Sequence, residues 1–145
     1  MYIKRVLEEV ILRANKSFSA LLVTGPRQVG KTTMLRKLAD ENRKYVSLDD
    51  PIARATALED PALFLARNTP PVLIDEIQYA PQLLPYIKMH IDEYHNPGDF
   101  WLTGSQMFHM MKNVSESLAG HVVIDQMYGL SQVKNYSHTF PSFQM

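Results

Sequence analysis

The segment Gly25-Pro26-Arg27-Gln28-Val29-Gly30-Lys31-Thr32 constrains this 145-residue chain more than any other feature. It fits G-x-x-x-x-G-K-[ST] without a departure. The two glycines let a backbone wrap phosphate groups, with amide N–H groups pointing inward at the start of a helix. The lysine then reaches β- and γ-phosphates, and the threonine hydroxyl offers a ligand to magnesium. At ordinary residue frequencies a chance match in a chain of this length has a probability of about 0.005. The competing explanation is a tight strand-to-helix turn that happens to end in Lys-Thr. Context weakens it, because an apolar strand pattern precedes the loop and a helical pattern follows. The loop and the adjacent Thr33 are therefore the candidate contacts for ATP with Mg2+.

That context continues along the chain. Apolar residues recur at Ile3, Val6, Leu7, Val10, Ile11 and Ala14, the spacing of an amphipathic helix. Ala20–Val23 reads as a buried strand, residues 31–40 as a helix and Tyr45–Leu48 as a second strand. Asp50 followed by Pro51 has the form of a helix N-cap and first helical position. Val72–Ile74 is a third strand, and a helix from about Pro81 turns Leu84, Ile87 and Ile91 inward. Asn96-Pro97-Gly98 marks a turn. Phe100–Thr103 and Val122–Ile124 are a fourth and a fifth strand. Short continuous apolar strands alternating with helices predict an α/β fold, a five-stranded parallel sheet covered by helices on both faces. Residues 1–129 are expected to form this domain, and residues 130–145 a polar, poorly ordered tail.

The third strand ends in Asp75-Glu76. In a parallel sheet the carboxyl ends of the strands line the ligand crevice. Asp75 is therefore expected to approach the magnesium, usually through a water, and Glu76 to polarise the attacking water as a general base. An acidic pair that simply meets solvent is the bland alternative, and the phosphate-type loop upstream outweighs it. Thr103 and Ser105, at the end of the fourth strand, are candidates to hydrogen-bond the attacking water or the γ-phosphate. For Ser105 the competing role is a helix cap. Asp49 and Asp50 read as caps rather than catalysts, and Met107, Met110 and Met111 as core fillers.

Composition closes off other classes. With no cysteine there is neither a disulfide framework nor a thiolate zinc site, and the five histidines lack ligand spacing. No apolar run approaches the length needed to cross a bilayer, and the charged start is unlike a signal peptide, so a cytoplasmic location is expected. Residues 1–67 hold 12 Lys/Arg against 8 Asp/Glu, and the remainder 3 against 7. No dense basic run is present, so nucleic acid is not indicated as a ligand. Every arginine, from Arg5 to Arg67, lies in the first part.

Thr-Gly-Pro-Arg-Gln-Val-Gly-Lys-Thr-Thr, Ser-Leu-Asp-Asp-Pro, Ile-Asp-Glu-Ile-Gln-Tyr-Ala-Pro, Leu-Thr-Gly-Ser-Gln and Ser-Glu-Ser-Leu-Ala-Gly occur here in that order. Together they resemble the AAA-type ATPase domain of bacterial and archaeal ATP-binding proteins that carry an uncharacterised C-terminal domain. The resemblance covers roughly residues 1–125 and implies an AAA-like sheet, with the Thr103 strand lying between the Asp75 strand and the phosphate-loop strand. It implies that Lys31 and Thr32 bind phosphate and magnesium, that Asp75 and Glu76 serve metal and water, and that Thr103 or Ser105 is the first sensor. Two departures stand out. His121 occupies the position where the family usually has arginine, and the segment after Gly129-Leu130-Ser131 differs from the family's continuation, as in a shortened member.

Three readings follow. The first is an ATPase domain that binds ATP and hydrolyses it slowly unless a homo-oligomer or protein partner supplies an arginine. The second is a non-catalytic, nucleotide-dependent interaction module. The third is a small-molecule kinase with Asp49 or Asp50 holding the acceptor, against which the lack of late arginines argues.

Overall fold

The computed structural model describes residues 2–26, 30–105, 108–127 and 133–134. Helix α1 (Tyr2–Asn15) leads into strand β1 (Ala20–Thr24), whose chain runs through the glycine loop into α2 (Lys31–Leu38). Strand β2 (Lys44–Ser47) follows, then α3 (Pro51–Glu59) and α4 (Pro61–Arg67). Strand β3 (Val72–Asp75), a 3-10 turn (Ile77–Tyr79), α5 (Leu83–Tyr94) and β4 (Phe100–Gly104) come next. Helix α6 (Phe108–Ser117), β5 (Val122–Met127) and β6 (Val133–Lys134) complete the described elements.

The strand order is β2-β3-β4-β1-β5-β6. The first five are parallel, and β6 pairs antiparallel with β5 through Gln126–Lys134 and Met127–Val133. The expected α/β fold and five-stranded parallel sheet are thus present, with β4 between β3 and β1. The two-residue strand β6 was not expected. It falls inside the 130–145 segment, and the rest of that segment lies outside the described residues, as does Met107.

Alternation along each strand sorts the core into two layers. Leu22, Ile74, Phe100, Leu102 and Ile124 pack with Leu84, Ile87, Ile91, Met110 and Val114 from α5 and α6. Leu21, Val23, Leu73, Trp101 and Val123 face Leu7, Ile11, Met34 and Leu35 from α1 and α2. Period-two alternation under helices on both faces is why these strands read as unbroken apolar runs.

Local chemistry sets the helix starts in the β2–β3 connection. Asp50 accepts from Ile52 N with Pro51 at the first helical position, and Asp60 accepts from Leu63 N with Pro61 in the same place. Two Asp-Pro steps thus start two short helices, a division the apolar pattern did not reveal.

Candidate functional site

The loop opens where β1 leaves the sheet, and Gly25 N donates to Gly104 O at 3.2 Å, tying its first residue to the end of β4. Gly30, the N-cap of α2, has φ 87°, a left-handed conformation that glycine adopts without a side-chain penalty. The described loop residues besides Gly25 and Gly30 are exposed Pro26, Lys31, Thr32 and, in the first turn of α2, exposed Thr33. Arg27, Gln28 and Val29 lie outside the described residues.

One row of residues crosses the sheet at this level. Ser47 stands beside Asp75, Val23 beside Thr103, and Val23 beside Asp125. The Ile74–Leu102 pairing puts Asp75 next to Thr103. Alternation turns the whole row toward α2. Asp75 is consequently surrounded by hydroxyls. Thr32 Oγ1 donates to Asp75 Oδ1 at 2.6 Å, and Thr103 Oγ1 donates to the same oxygen. Ser47 Oγ donates to Oδ2 at 3.0 Å, with Tyr45 OH a longer 3.4 Å away. Burial and the neighbouring Asp75 charge push the Tyr45 phenol above its ordinary value.

Glu76 has φ 63° and ψ 56°, so the chain turns sharply at the strand end. Its amide donates to Thr103 Oγ1 at 2.9 Å. Its carboxylate lies 3.7 Å from Lys31 Nζ, with both side chains about 95% buried at 4% and 6% exposure. The lysine of the loop and the second acid of β3 are therefore paired in a desolvated setting, where Coulomb attraction is far stronger than at a surface. Ser105 Oγ is buried and meets no hydrogen-bond partner among the described residues.

Asp50 caps α3, as expected. Asp49, also expected as a cap, is not the N-cap of α3 and lies beside the acidic pair instead. One carboxylate oxygen each from Asp49, Asp75 and Glu76 lie within 4.8 Å of one another. Carboxylates and a threonine hydroxyl are the donors a hard divalent cation takes, so this oxygen set fits magnesium. An ion held by the lone pairs of Thr32 Oγ1 leaves the Thr32–Asp75 hydrogen bond in place. Among the described residues no histidine joins a potential metal group.

Lys31, Thr32, Asp75, Glu76 and Thr103 are thus brought together, with Ser105 one residue beyond β4. Sequence reasoning missed Ser47, Tyr45 and Asp49 as neighbours of Asp75, and Gln78, whose Nε2 donates to Glu76 Oε1 at 2.7 Å. For Ser47, Tyr45 and Asp49 the signal was hydroxyls and an acid in and just after β2. It becomes meaningful only once β2 is known to flank β3.

A family model described as an AAA domain matches residues 17–135. Two curated proteins, uncharacterized protein Rv2008c of Mycobacterium tuberculosis and uncharacterized protein Mb2031c of Mycobacterium bovis, are each 34% identical over 119 residues. The match covers 82% of this chain and 27% of each relative, so the chain spans about a quarter of the length of the curated relatives it matches. A solved structure titled as that of a DNA replication initiation factor aligns with a TM-score of 0.48 and 17% identity, over 83% of this chain and 44% of that one.

Proposed function

Because the chain belongs to the AAA domain family, an ATP-binding P-loop fold, we propose that it takes ATP with magnesium at Gly25–Thr32 and hydrolyses it slowly until a neighbouring subunit or protein partner supplies an arginine. The observation that carries this reading is the convergence of Thr32 on Asp75 and of Lys31 on Glu76, residues more than forty positions apart.

In this reading Lys31 leaves or shares Glu76 to meet the β- and γ-phosphates, while the loop amides and Thr33 hold the remaining oxygens. Thr32 and Asp75 would hold the magnesium, with Asp49 a further carboxylate nearby. The ion, when bound, screens the charge that gathers on the phosphate oxygens. Glu76 orients the attacking water and accepts its proton, and the burial that strengthens the Lys31 pair also excludes competing water. Thr103 and Ser105 sense the γ-phosphate from the end of β4.

Slow intrinsic turnover is supported by where the cations are. Arg36, Arg43 and Arg54 lie over the rings of Tyr45, Trp101 and Tyr79, at 4.3, 3.8 and 4.0 Å from the ring centroids. Arg43 and Arg54 also donate to the carbonyls of Gly98 and Leu48. No arginine follows Arg67 in the sequence. A missing arginine finger costs roughly 10³–10⁵ in rate. No described helix is long and apolar enough to cross a membrane.

Calorimetric ATP·Mg2+ binding, together with phosphate release at increasing chain concentration, tests the reading. Lys31→Ala is expected to lose binding, and Glu76→Gln to keep binding and lose turnover. Unchanged affinity in Lys31→Ala would overturn the assignment. The engagement of Glu76 by Lys31 favours one second reading, a nucleotide-dependent interaction module without catalysis, which predicts affinity with no phosphate release even at high concentration.

A further inference from the structure

One side chain bridges the Glu76 carboxylate and the end of β4. Gln78 Nε2 donates to Glu76 Oε1 at 2.7 Å, and Gln78 Oε1 accepts from Ser105 N at 3.3 Å. Chemistry fixes which end of the amide faces which partner. A carboxylate only accepts and a backbone N–H only donates, so the NH2 group must meet Glu76 and the carbonyl oxygen must meet Ser105.

The backbone is shaped around this bridge. The left-handed Glu76 residue starts the 3-10 turn, which brings Gln78 back beside the acid two positions earlier. On the other side, a Cβ at Gly104 would fall 3.2 Å from Gln78 Oε1, 3.3 Å from Ile77 Cγ2 and 2.7 Å from Met110 Cε. A glycine at 104 therefore leaves the space that the amide occupies.

Glu76 is held from two further directions. Its main chain is fixed by Thr103, and its other oxygen, Oε2, faces Lys31. Once Lys31 turns to the phosphates, the Gln78 bond is the remaining described hold on the Glu76 carboxylate. Without it the carboxylate is free to rotate, and a carboxylate turned from the water is poorly placed to take its proton.

We propose that Gln78 is a positioning residue for hydrolysis: it keeps Glu76 turned toward the attacking water and passes to it any shift of the Thr103–Ser105 segment when the γ-phosphate leaves. This rests on the assignment of Glu76 as general base given above. It adds the link by which the phosphate-sensing strand end reaches that base, without Gln78 itself touching the nucleotide.

The test compares Gln78→Ala and Gln78→Glu with the wild-type chain. Gln78→Glu has nearly the same size and still accepts from Ser105 N–H, but it replaces the neutral amide donor with a second carboxylate that repels Glu76 or shares a proton with it. Both variants should bind ATP·Mg2+ within about twofold of wild type, because the phosphate contacts are untouched, and should release phosphate in a single turnover at least about tenfold more slowly, a loss within the range of general-base effects. Each variant should still unfold in one cooperative transition, with a midpoint lowered by the loss of the Glu76 hydrogen bond. The Gln78 side-chain amide resonance, assigned by its absence in Gln78→Ala, should move on Glu76→Gln.

Equal single-turnover rates in wild type and Gln78→Ala overturn this proposal alone. So do losses of affinity that parallel the losses of rate, which mark general damage to the site, or an amide resonance that ignores Glu76→Gln. A wild-type chain that binds ATP and never releases phosphate overturns the hydrolysis reading and this proposal together. Failure of wild type to bind ATP overturns the nucleotide reading as well.

Discussion

Asp125 and Asp75 stand in the same cross-sheet row, yet their surroundings are opposite. Asp75 accepts from four hydroxyls. Asp125 is fully buried beyond β1, and neither carboxylate oxygen has a hydrogen-bond partner among the described residues. Desolvation alone pushes its pKa up to about 7. The folded state therefore holds this proton at pH values where the unfolded chain has released it, and stability contributed by the neutral acid is lost as pH rises from about 4 to about 7. Asp125→Asn removes the ionisation while keeping the shape. The difference in thermal midpoint between variant and wild type should grow in favour of the variant across that window and level off above it. The free-energy ceiling is about 4 kcal/mol, with less realised where the native state relaxes. A constant difference from pH 4 to 8 would show that Asp125 does not titrate there. Residue chemistry alone made Lys31, Thr32, Asp75 and Glu76 legible, because their types and spacing match one ligand. Asp125 was not legible. Its neighbours come from β1 and the α1/α2 layer, and no local pattern announces a carboxylate facing inward.

At the scale of elements, the end of the sheet opposite the site is fixed by the turn between α5 and β4. Gly98 has φ 77°, its N–H donates to Phe18 O at 2.8 Å, and its carbonyl accepts from Arg43 at 2.7 Å. A Cβ there would collide with the Asn15 side chain, whose Oδ1 accepts from the Trp101 indole at 2.9 Å. Gly98→Ala therefore combines a strained backbone with displacement of the acceptor of a part-buried N–H. It should cost about 2–3 kcal/mol. Urea unfolding should show a lower midpoint with an unchanged slope, while ATP affinity stays at the wild-type value, because the nucleotide loop lies at the other strand ends. A variant as stable as wild type would refute the packing argument. The turn itself was legible from Asn96-Pro97-Gly98, and the strands from apolar runs between breakers. The α3/α4 division was not, because the helical pattern continues across Asp60-Pro61 and only the cap chemistry separates the two. Nor was β6, whose two residues carry no periodicity and whose pairing depends on β5.

At the scale of the whole molecule, the strand order brings the ends of β1, β3 and β4 to one side, and these ends, flanked by the end of β2, carry the candidate site. That order followed from the resemblance in the motifs rather than from hydrophobic patterning, which gives strand positions but not neighbours. Its consequence is thermodynamic. Lys31, the Asp75–Glu76 pair and Thr103 belong to α2, the end of β3 and β4 and come together only in the folded chain, so a ligand that engages them binds the folded state and not the unfolded one. Nucleotide at one hundred times its Kd should then stabilise the protein by about 2.7 kcal/mol. For a domain of this size the melting temperature should rise by about 5–10 °C. A chelator that removes magnesium should take away most of the shift, because the carboxylate group of Asp49, Asp75 and Glu76 then faces the triphosphate without a cation between them and repels it. Lys31→Ala should show no shift at the same ATP concentration, and Glu76→Gln should keep it or enlarge it, since removing the carboxylate frees Lys31 for phosphate. A scan of melting temperature against ATP, with and without chelator, checks all three together. An equal shift in wild type and Lys31→Ala would mean that ATP is held elsewhere on the molecule.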